Sequence, residues 1–300
     1  MNRCDRVQFQ LCTRAGQEIA VTLARLCERA ASERAITMRA SQAALRRLRD
    51  RGTAAATVAL LRDAASGGSP EVLLLKKSKG QRFSELWVFP GGKIDEEDAV
   101  HVDGHEDVLA TAAAAAAREL VEETQLVIAP SELCFFSHWL PPAAEAAKRG
   151  RAFSTFFFVG RASENAAAQV DGGEISRHQW MKPIDALERH AAGRLGMLPP
   201  TWMTLNTLTA YGSAEEAIRQ LGAAEPECYE TRMSVLPDQR TCYMWAGDAG
   251  WATCDPSVPG QRLRLVSSAP TAAADEQSGE LGPLTRGAST LTLENTMSKL

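Results

Sequence analysis

The sequence predicts an α/β (α+β) domain. A mixed sheet lies between helices, with one long helix before it and a small β appendage after it. Three observations predict this. Apolar runs of strand length recur along residues 53–181, among them Val58 to Leu61, Val72 to Leu75 and Phe156 to Val159. An Ala-rich stretch, Ala112 to Ala117, lies between them and continues into Arg118-Glu119-Leu120-Val121-Glu122-Glu123. Helix-like segments follow the last of the strands. Strands interleaved with amphipathic helices bury both faces of a sheet in a layered sandwich.

In chain order, Gln17 to Arg51 reads as one long helix, with Ile19, Leu23, Leu26, Ala30, Ile36, Ala40, Ala44 and Leu48 along one stripe and Gly52 as its stop. Its Arg-rich face is read as a solvated helix face packed on the domain; a site for phosphates or acidic partners is the alternative. Thr53 to Asp63 and Glu71 to Lys77 form a hairpin across the turn Ser66-Gly67-Gly68-Ser69-Pro70. A short strand, Leu86 to Phe89, delivers the chain to Gly91-Gly92. Asp103-Gly104-His105-Glu106 has the form of a capping box, which starts a helix at about His105 and runs it to Thr124. Its Ala run has the highest helix propensity available. Leu133 to Leu140, Phe153 to Gly160 and Glu174 to Met181 are the later strands, with their aromatic residues and Trp180 in the core. Helices follow at Pro183 to Ala191, Thr201 to Tyr211 and Ala214 to Leu221. After Pro226, short strands alternate with Pro, Gly and Asp. The domain boundaries drawn from this pattern are 1–52, 53–225, 226–267 for the β appendage and 268–300 for a flexible tail.

The formal net charge of −4 gives no case for nucleic-acid binding. The charge is uneven: eleven Arg against five acids give residues 1–52 a charge of +6, leaving −10 for the rest. The seven Cys are scattered, without a Cys-x-x-Cys pair, which predicts reduced thiols and no zinc site. No run of eighteen apolar residues is present to span a membrane.

The candidate site lies between Phe89 and Leu126. On a helix, Glu119, Glu122 and Glu123 fall at i, i+3 and i+4, so three carboxylates crowd one face. Such crowding is repulsive until a divalent cation relieves it, and hard oxygen ligands suit Mg²⁺ or Mn²⁺. Gly91 and Gly92 permit a close backbone approach to a ligand. Lys76, Lys77, Lys79 and Arg82 precede this loop. They are read as a solvated run, with Lys79 and Arg82 also placed to steer a polyanionic substrate. Asp95 to Asp98 are acidic loop residues, one of which could lend a carboxylate to a metal.

These residues resemble the Nudix box: a Gly, five residues, Glu, seven residues, then Arg-Glu-apolar-x-Glu-Glu-x-Gly-apolar. Gly92 matches its opening Gly, and Arg118, Glu119, Leu120, Glu122, Glu123 and Leu126 match its second half. Asp98 stands where the first Glu is expected, about a dozen extra residues separate the halves, and Gln125 replaces the Gly after the helix. A left-handed position costs Gln roughly 1 kcal/mol more than Gly, so the helix is expected to end differently here. The resemblance covers roughly Thr53 to Leu221. It implies Mg²⁺- or Mn²⁺-dependent hydrolysis of a nucleoside diphosphate linked to another group. Glu119, Glu122 and Glu123 would be metal ligands, Glu174 or one of these three the base, and Arg118 the residue that orients carboxylates or phosphates.

Val72-Leu73-Leu74-Leu75-Lys76-Lys77-Ser78 before the Phe-Pro-Gly-Gly loop is similar to coenzyme A diphosphatases. The insertion within the box, Arg151 to Phe158, Glu174 with Trp180, and Leu198-Pro199-Pro200 resemble a peroxisomal branch of that group. The resemblance implies cleavage of CoA or acyl-CoA. NAD(H) diphosphatases are a second resemblance, but their zinc ribbon and post-box motif have no counterpart here. A Nudix-like module that binds a nucleotide without cleaving it is the third.

Ser298-Lys299-Leu300 has the form of the peroxisomal import address, read by an import receptor. It predicts a peroxisome or a related microbody such as a glycosome. A mitochondrial or cytoplasmic location is the alternative, because the N-terminal stretch is Arg-rich and amphipathic.

Overall fold

A computed structural model describes residues 42–65, 67–80, 83–142, 153–163, 166–170, 172–270 and 290–295. Residues 42–49 are helical. The rest of the long helix expected from Gln17 lies outside the described residues, as do Arg82 and Ser298-Lys299-Leu300.

Strands β1 (Thr53–Arg62) and β2 (Glu71–Lys77) pair antiparallel, as the turn chemistry between them requires. Next come β3 (Trp87–Val88), β4 (Gly91–Lys93), and a small hairpin of β5 (His101–Val102) and β6 (His105–Glu106). Helix α1 (Val108–Thr124) follows, then β7 (Cys134–Leu140), β8 (Phe153–Arg161) and β9 (Ile175–Met181). Three helices come after, α2 (Pro183–Ala191), α3 (Pro199–Leu208) and α4 (Ala214–Ala223). The chain then forms β10 (Glu227–Glu230), β11 (Arg232–Val235), β12 (Arg240–Met244), β13 (Leu263–Pro270) and β14 (Leu291–Asn295).

The main sheet is mixed and eight-stranded, in the order β10-β7-β8-β1-β2-β3, with β4 also on β1 and β9 also on β2. β1 pairs parallel with β8 and β10 parallel with β7. Alternation along the strands divides the apolar residues between two faces. Ala59, Leu61, Val72, Leu74, Phe157 and Val159 share one core with Trp202, Met203, Leu205, Ala217 and Leu221 of α3 and α4. The opposite face carries α1, which packs on β1, β4 and β8. The small Ala112, Ala115 and Ala116 are buried there, so the helix backbone lies close to the sheet.

Helix α1 starts three residues later than the capping-box pattern suggests. Asp107, not Asp103, is the N-cap, and its carboxylate accepts from the backbone N–H groups of Leu109 and Ala110 at 3.1 Å. Asp103 and Gly104 instead make the β5–β6 turn, both with positive φ. The helix also ends as a Gly-terminated helix does. Gln125 takes the left-handed conformation itself, φ 60° and ψ 10°, and its N–H bonds to Val121 O. The substitution changes the conformational cost and leaves the ending unaltered.

The region after Pro226 is joined to the domain more closely than a separate appendage would be. β10 extends the main sheet, and Trp139, Tyr229 and Trp245 pack ring to ring, Trp139 and Tyr229 stacked at 4.0 Å. β11 to β14 form a second antiparallel sheet. Ordered strand therefore continues past residue 267, into the stretch expected to be tail: β14 lies on β13, and Leu291 N–H donates to the buried His190 Nε2 at 2.8 Å. Trp180, expected in the core, is half-buried, with the Arg62 guanidinium 4.4 Å from its ring centre. The described cysteines, Cys134, Cys228, Cys242 and Cys254, are free thiols. No described helix is long and apolar enough to cross a membrane.

Candidate active site

Three elements of the sheet and one helix converge at the site. β1 fixes the glycine loop: Pro90 O accepts from Val58 N–H at 3.0 Å and from the Thr57 hydroxyl at 2.6 Å. Gly91 then lies opposite Thr57 with φ 153°, and a Cβ there would stand 2.7 Å from Thr57 Cα. Gly92 lies opposite Ala56, and a Cβ on it would stand 2.5 Å from Glu119 Cδ. At Gly91 the close approach is to backbone and requires glycine, whereas at Gly92 it is to the end of one side chain. One brings the loop onto β1, the other brings it onto the carboxylate of Glu119.

Helix α1 supplies Arg118, Glu119, Glu122 and Glu123. Glu123 is buried and accepts from Gly91 N–H at 3.0 Å and from Lys77 Nζ at 2.9 Å. Lys77 Nζ also donates to Glu174 Oε1 at 2.7 Å, so one ammonium joins two carboxylates from distant parts of the chain. Arg118 is the second hub. Its Nε and Nη2 make a two-pronged contact with Asp98 at 2.9 and 3.0 Å. Its Nη1 reaches Glu119 at 3.1 Å and Glu122 at 3.0 Å, and Nη2 also donates to Lys93 O. Such planar, paired geometry is what guanidinium offers and ammonium does not.

Burial and charge compete at each group. Burial pushes the Glu119 carboxyl up to about 7, against the pull of Arg118. Burial likewise raises Glu123, outweighing Lys77 and the Gly91 N–H. Burial would lower Lys77, but Glu123 and Glu174 together hold it above its ordinary value. The two shifts agree once the sharing is seen: the ammonium has two anionic partners, whereas the deeper Glu123 has one cationic partner. Asp98 is also buried, yet its hydrogen bonds from Arg118 and from Asp95 N–H keep it below the usual carboxylate range.

Two residues change role relative to the sequence expectation. Asp98, grouped with acidic loop residues that could lend a carboxylate to a metal, is buried and holds Arg118. Lys77, grouped with a solvated run, is only 8% exposed and belongs to the site. The signal for Lys77 was present in strand periodicity, since it shares a face with the buried Leu73 and Leu75 and that face carries α1. Lys79 is exposed on the turn after β2. Glu174 immediately precedes β9, and its carbonyl accepts from Ser78 N–H at 2.9 Å.

The donor chemistry fits a hard divalent cation. Six carboxylates, Asp95, Asp98, Glu119, Glu122, Glu123 and Glu174, face two cationic side chains, Lys77 and Arg118, which leaves a formal excess of four negative charges. Among the described residues, however, no three His, Cys, Asp or Glu side chains converge on a single point. The carboxylates are turned toward Lys77 and Arg118 instead.

The family model described as NUDIX domain matches residues 52–199. Acyl-coenzyme A diphosphatase NUDT19 of Xenopus laevis is 25% identical over 135 residues, which cover 44% of this chain and 35% of that protein. The chain thus matches about a third of the length of this curated relative. Among solved structures, a NUDIX hydrolase from Alicyclobacillus acidocaldarius is similar at 22% identity, over 58% of this chain and 98% of that one, with a TM-score of 0.49. An Ap4A hydrolase from C. elegans, solved as a binary complex, is similar at 20% identity over 53% of this chain and 96% of that one, with a TM-score of 0.37. By the family match and the box geometry from Gly92 to Glu123, residues 52–199 of the chain form a Nudix domain.

Proposed function

We propose that this chain is a divalent-metal-dependent hydrolase that cleaves the phosphoanhydride of CoA or acyl-CoA. The products are adenosine 3′,5′-bisphosphate and 4′-phosphopantetheine or its acyl form. The observation that carries the hydrolytic reading is the contact of the Gly91-Gly92 backbone with the carboxylates of Glu123 and Glu119. The CoA substrate is supported by the likeness to the acyl-coenzyme A diphosphatase.

In this reading Glu119, Glu122 and Glu123 would hold Mg²⁺ or Mn²⁺, and such an ion would supply charge neutralisation on phosphate oxygens and a lowered pKa for bound water. Arg118 keeps the carboxylates in register through its fork on Asp98 and its contacts with Glu119 and Glu122. Glu174 takes the proton of the attacking water. The water oxygen joins one phosphorus, and the P–O bond of the anhydride breaks with the electron pair leaving on the departing phosphate. Lys79 and Arg82 draw the polyanion toward the site.

The test is incubation of the purified protein and its Glu122→Gln variant with Mg²⁺ or Mn²⁺ and a substrate panel. The panel is CoA, acetyl-CoA, a long-chain acyl-CoA, NADH, ADP-ribose and dinucleoside polyphosphates, with products separated by chromatography. Adenosine 3′,5′-bisphosphate from the CoA substrates, lost in the variant, supports the proposal. AMP from NADH with CoA untouched replaces the substrate. Tight nucleotide binding without any product overturns the hydrolase in favour of a binding module.

A further inference from the structure

We infer that Lys77 is a positioning residue, one that ties Glu174 to α1 and thereby sets where that carboxylate stands. The inference rests on the hydrolytic reading given above and adds a residue to it.

Lys77 ends β2 on the face that α1 covers, following Leu73 and Leu75. A charged side chain in such a place is rare unless paired. Here it is paired twice, with Glu123 of α1 at 2.9 Å and with Glu174 at 2.7 Å. The two acids differ in their surroundings: the Glu123 side chain is 7% exposed and the Glu174 side chain 60%. Glu123 has a second hold besides Lys77, the Gly91 N–H that donates to it at 3.0 Å. Glu174, at the mouth of a Gly172-Gly173 turn, has little around it to select one rotamer, and an exposed side chain held by nothing samples several. The Lys77 ammonium supplies the selection.

The backbone supports the same tie. β2 and β9 stay in register from Val72↔Met181 to Lys76↔Arg177, then shift so that Lys77 faces Ile175. Such irregularities re-aim a side chain next to a site. The shift leaves Ser78 N–H bonded to Glu174 O and sets the Glu174 side chain over Lys77. Lys77 therefore fastens the start of β9 to the helix that carries the box glutamates, across 97 and 46 residues of chain.

The experiment compares wild type, Lys77→Met, Lys77→Arg, Glu174→Gln and the double variant Lys77→Met/Glu174→Gln on the substrate found for the wild type. Backbone hydrogen exchange is followed at Ser78. Lys77→Met is expected to lower kcat on the order of 10–100-fold with KM within about twofold, the pattern of a misplaced group rather than of lost substrate binding. Lys77→Arg, which keeps the charge, regains part of that loss. The double variant is no slower than Glu174→Gln alone, because the effect of Lys77 runs through Glu174. Exchange at Ser78 is faster in Lys77→Met than in wild type, with the exchange of α1 unchanged.

An active wild type whose kcat is untouched by Lys77→Met overturns the inference, as does a double variant slower by the product of the single effects. A wild type that turns over nothing in the panel refutes the hydrolytic reading instead. The Ser78 exchange then still tests the tie, and unchanged exchange rejects it. Should Lys77→Met fail to fold, Glu174→Gln alone decides: unchanged Ser78 exchange there rejects the tie from the other side.

Discussion

A methyl group on Gly92 would collide with the carboxyl of Glu119, 2.5 Å from its Cδ. The loop and the helix are thus fitted to each other at one atom. Gly92→Ala is expected to push Glu119 aside and lower kcat on the order of 100-fold, since displacements of about 1 Å carry that cost. Circular dichroism should show the fold retained, because the far side of the contact is a partly exposed side chain with room to turn. Steady-state kinetics on the CoA substrate checks it.

Asp98 and Arg118 form the second fitted pair. Asp98→Asn removes the charge that Arg118 grips with two prongs and leaves the guanidinium to Asp95, Glu119, Glu122 and the Lys93 carbonyl. Arg118 is about a quarter exposed, so solvent offsets part of the loss. Urea denaturation is expected to show a loss of roughly 1–2 kcal/mol. Asp98→Glu is expected to retain most of the stability.

Charge reversal at Lys79 and Arg82 tests steering. With the double variant Lys79→Glu/Arg82→Glu, KM for CoA should rise several-fold at low salt and approach that of wild type at high salt, since exposed charges act within a Debye length of about 10 Å at 0.1 M. KM with unchanged salt dependence rules steering out.

His138 makes stability depend on acid. It is buried on β7, and its Nε2 lies 2.9 Å from Ser154 Oγ, whose hydroxyl is donated to Leu48 O. Nε2 therefore carries the proton, and Nδ1 has no partner among the described residues. Burial, aided by Arg51, pushes its pKa down to about 4. The unfolded chain binds a proton near pH 6.5 while the folded chain does not. The neutral ring thus costs nothing above about pH 6.5, and stability falls as the pH drops from there toward 4. Equilibrium urea curves are expected to lose roughly 2–3 kcal/mol between pH 7 and 4.5 from this group. His138→Phe should remove that share and leave the part due to carboxylates.

How much of this was legible in the sequence depends on the range of the interaction. β1, β2, α2 and the glutamate face of α1 follow from periodicity and from turn residues only a few positions apart. The N-cap of α1 was misplaced because two aspartates four residues apart both suit a cap, and the β5–β6 hairpin, a tertiary feature, decides between them. Lys77 and Asp98 looked like surface charges because each partner lies far along the chain, at Glu123, Glu174 and Arg118. Local patterns describe a residue's face; they do not describe what arrives on that face later. β14 was hidden for the same reason, since its strand partner and its hydrogen bond to His190 come from outside its own composition.

The parallel pairing of β1 with β8 also bears on how the chain is made. Thr53 lies beside Phe153, about 100 residues downstream, and β1 is central in the sheet. At roughly 5–20 residues per second, a ribosome needs on the order of 5–20 s to supply the missing neighbour. Over that interval β1 has β2 and β4 along one edge, at Leu61–Arg62 and Ala55–Thr57, and nothing along the other. The nascent domain is therefore most exposed to edge-to-edge aggregation before β8 emerges, and the yield of folded protein should respond to chaperones that act during synthesis more than to those that act after release.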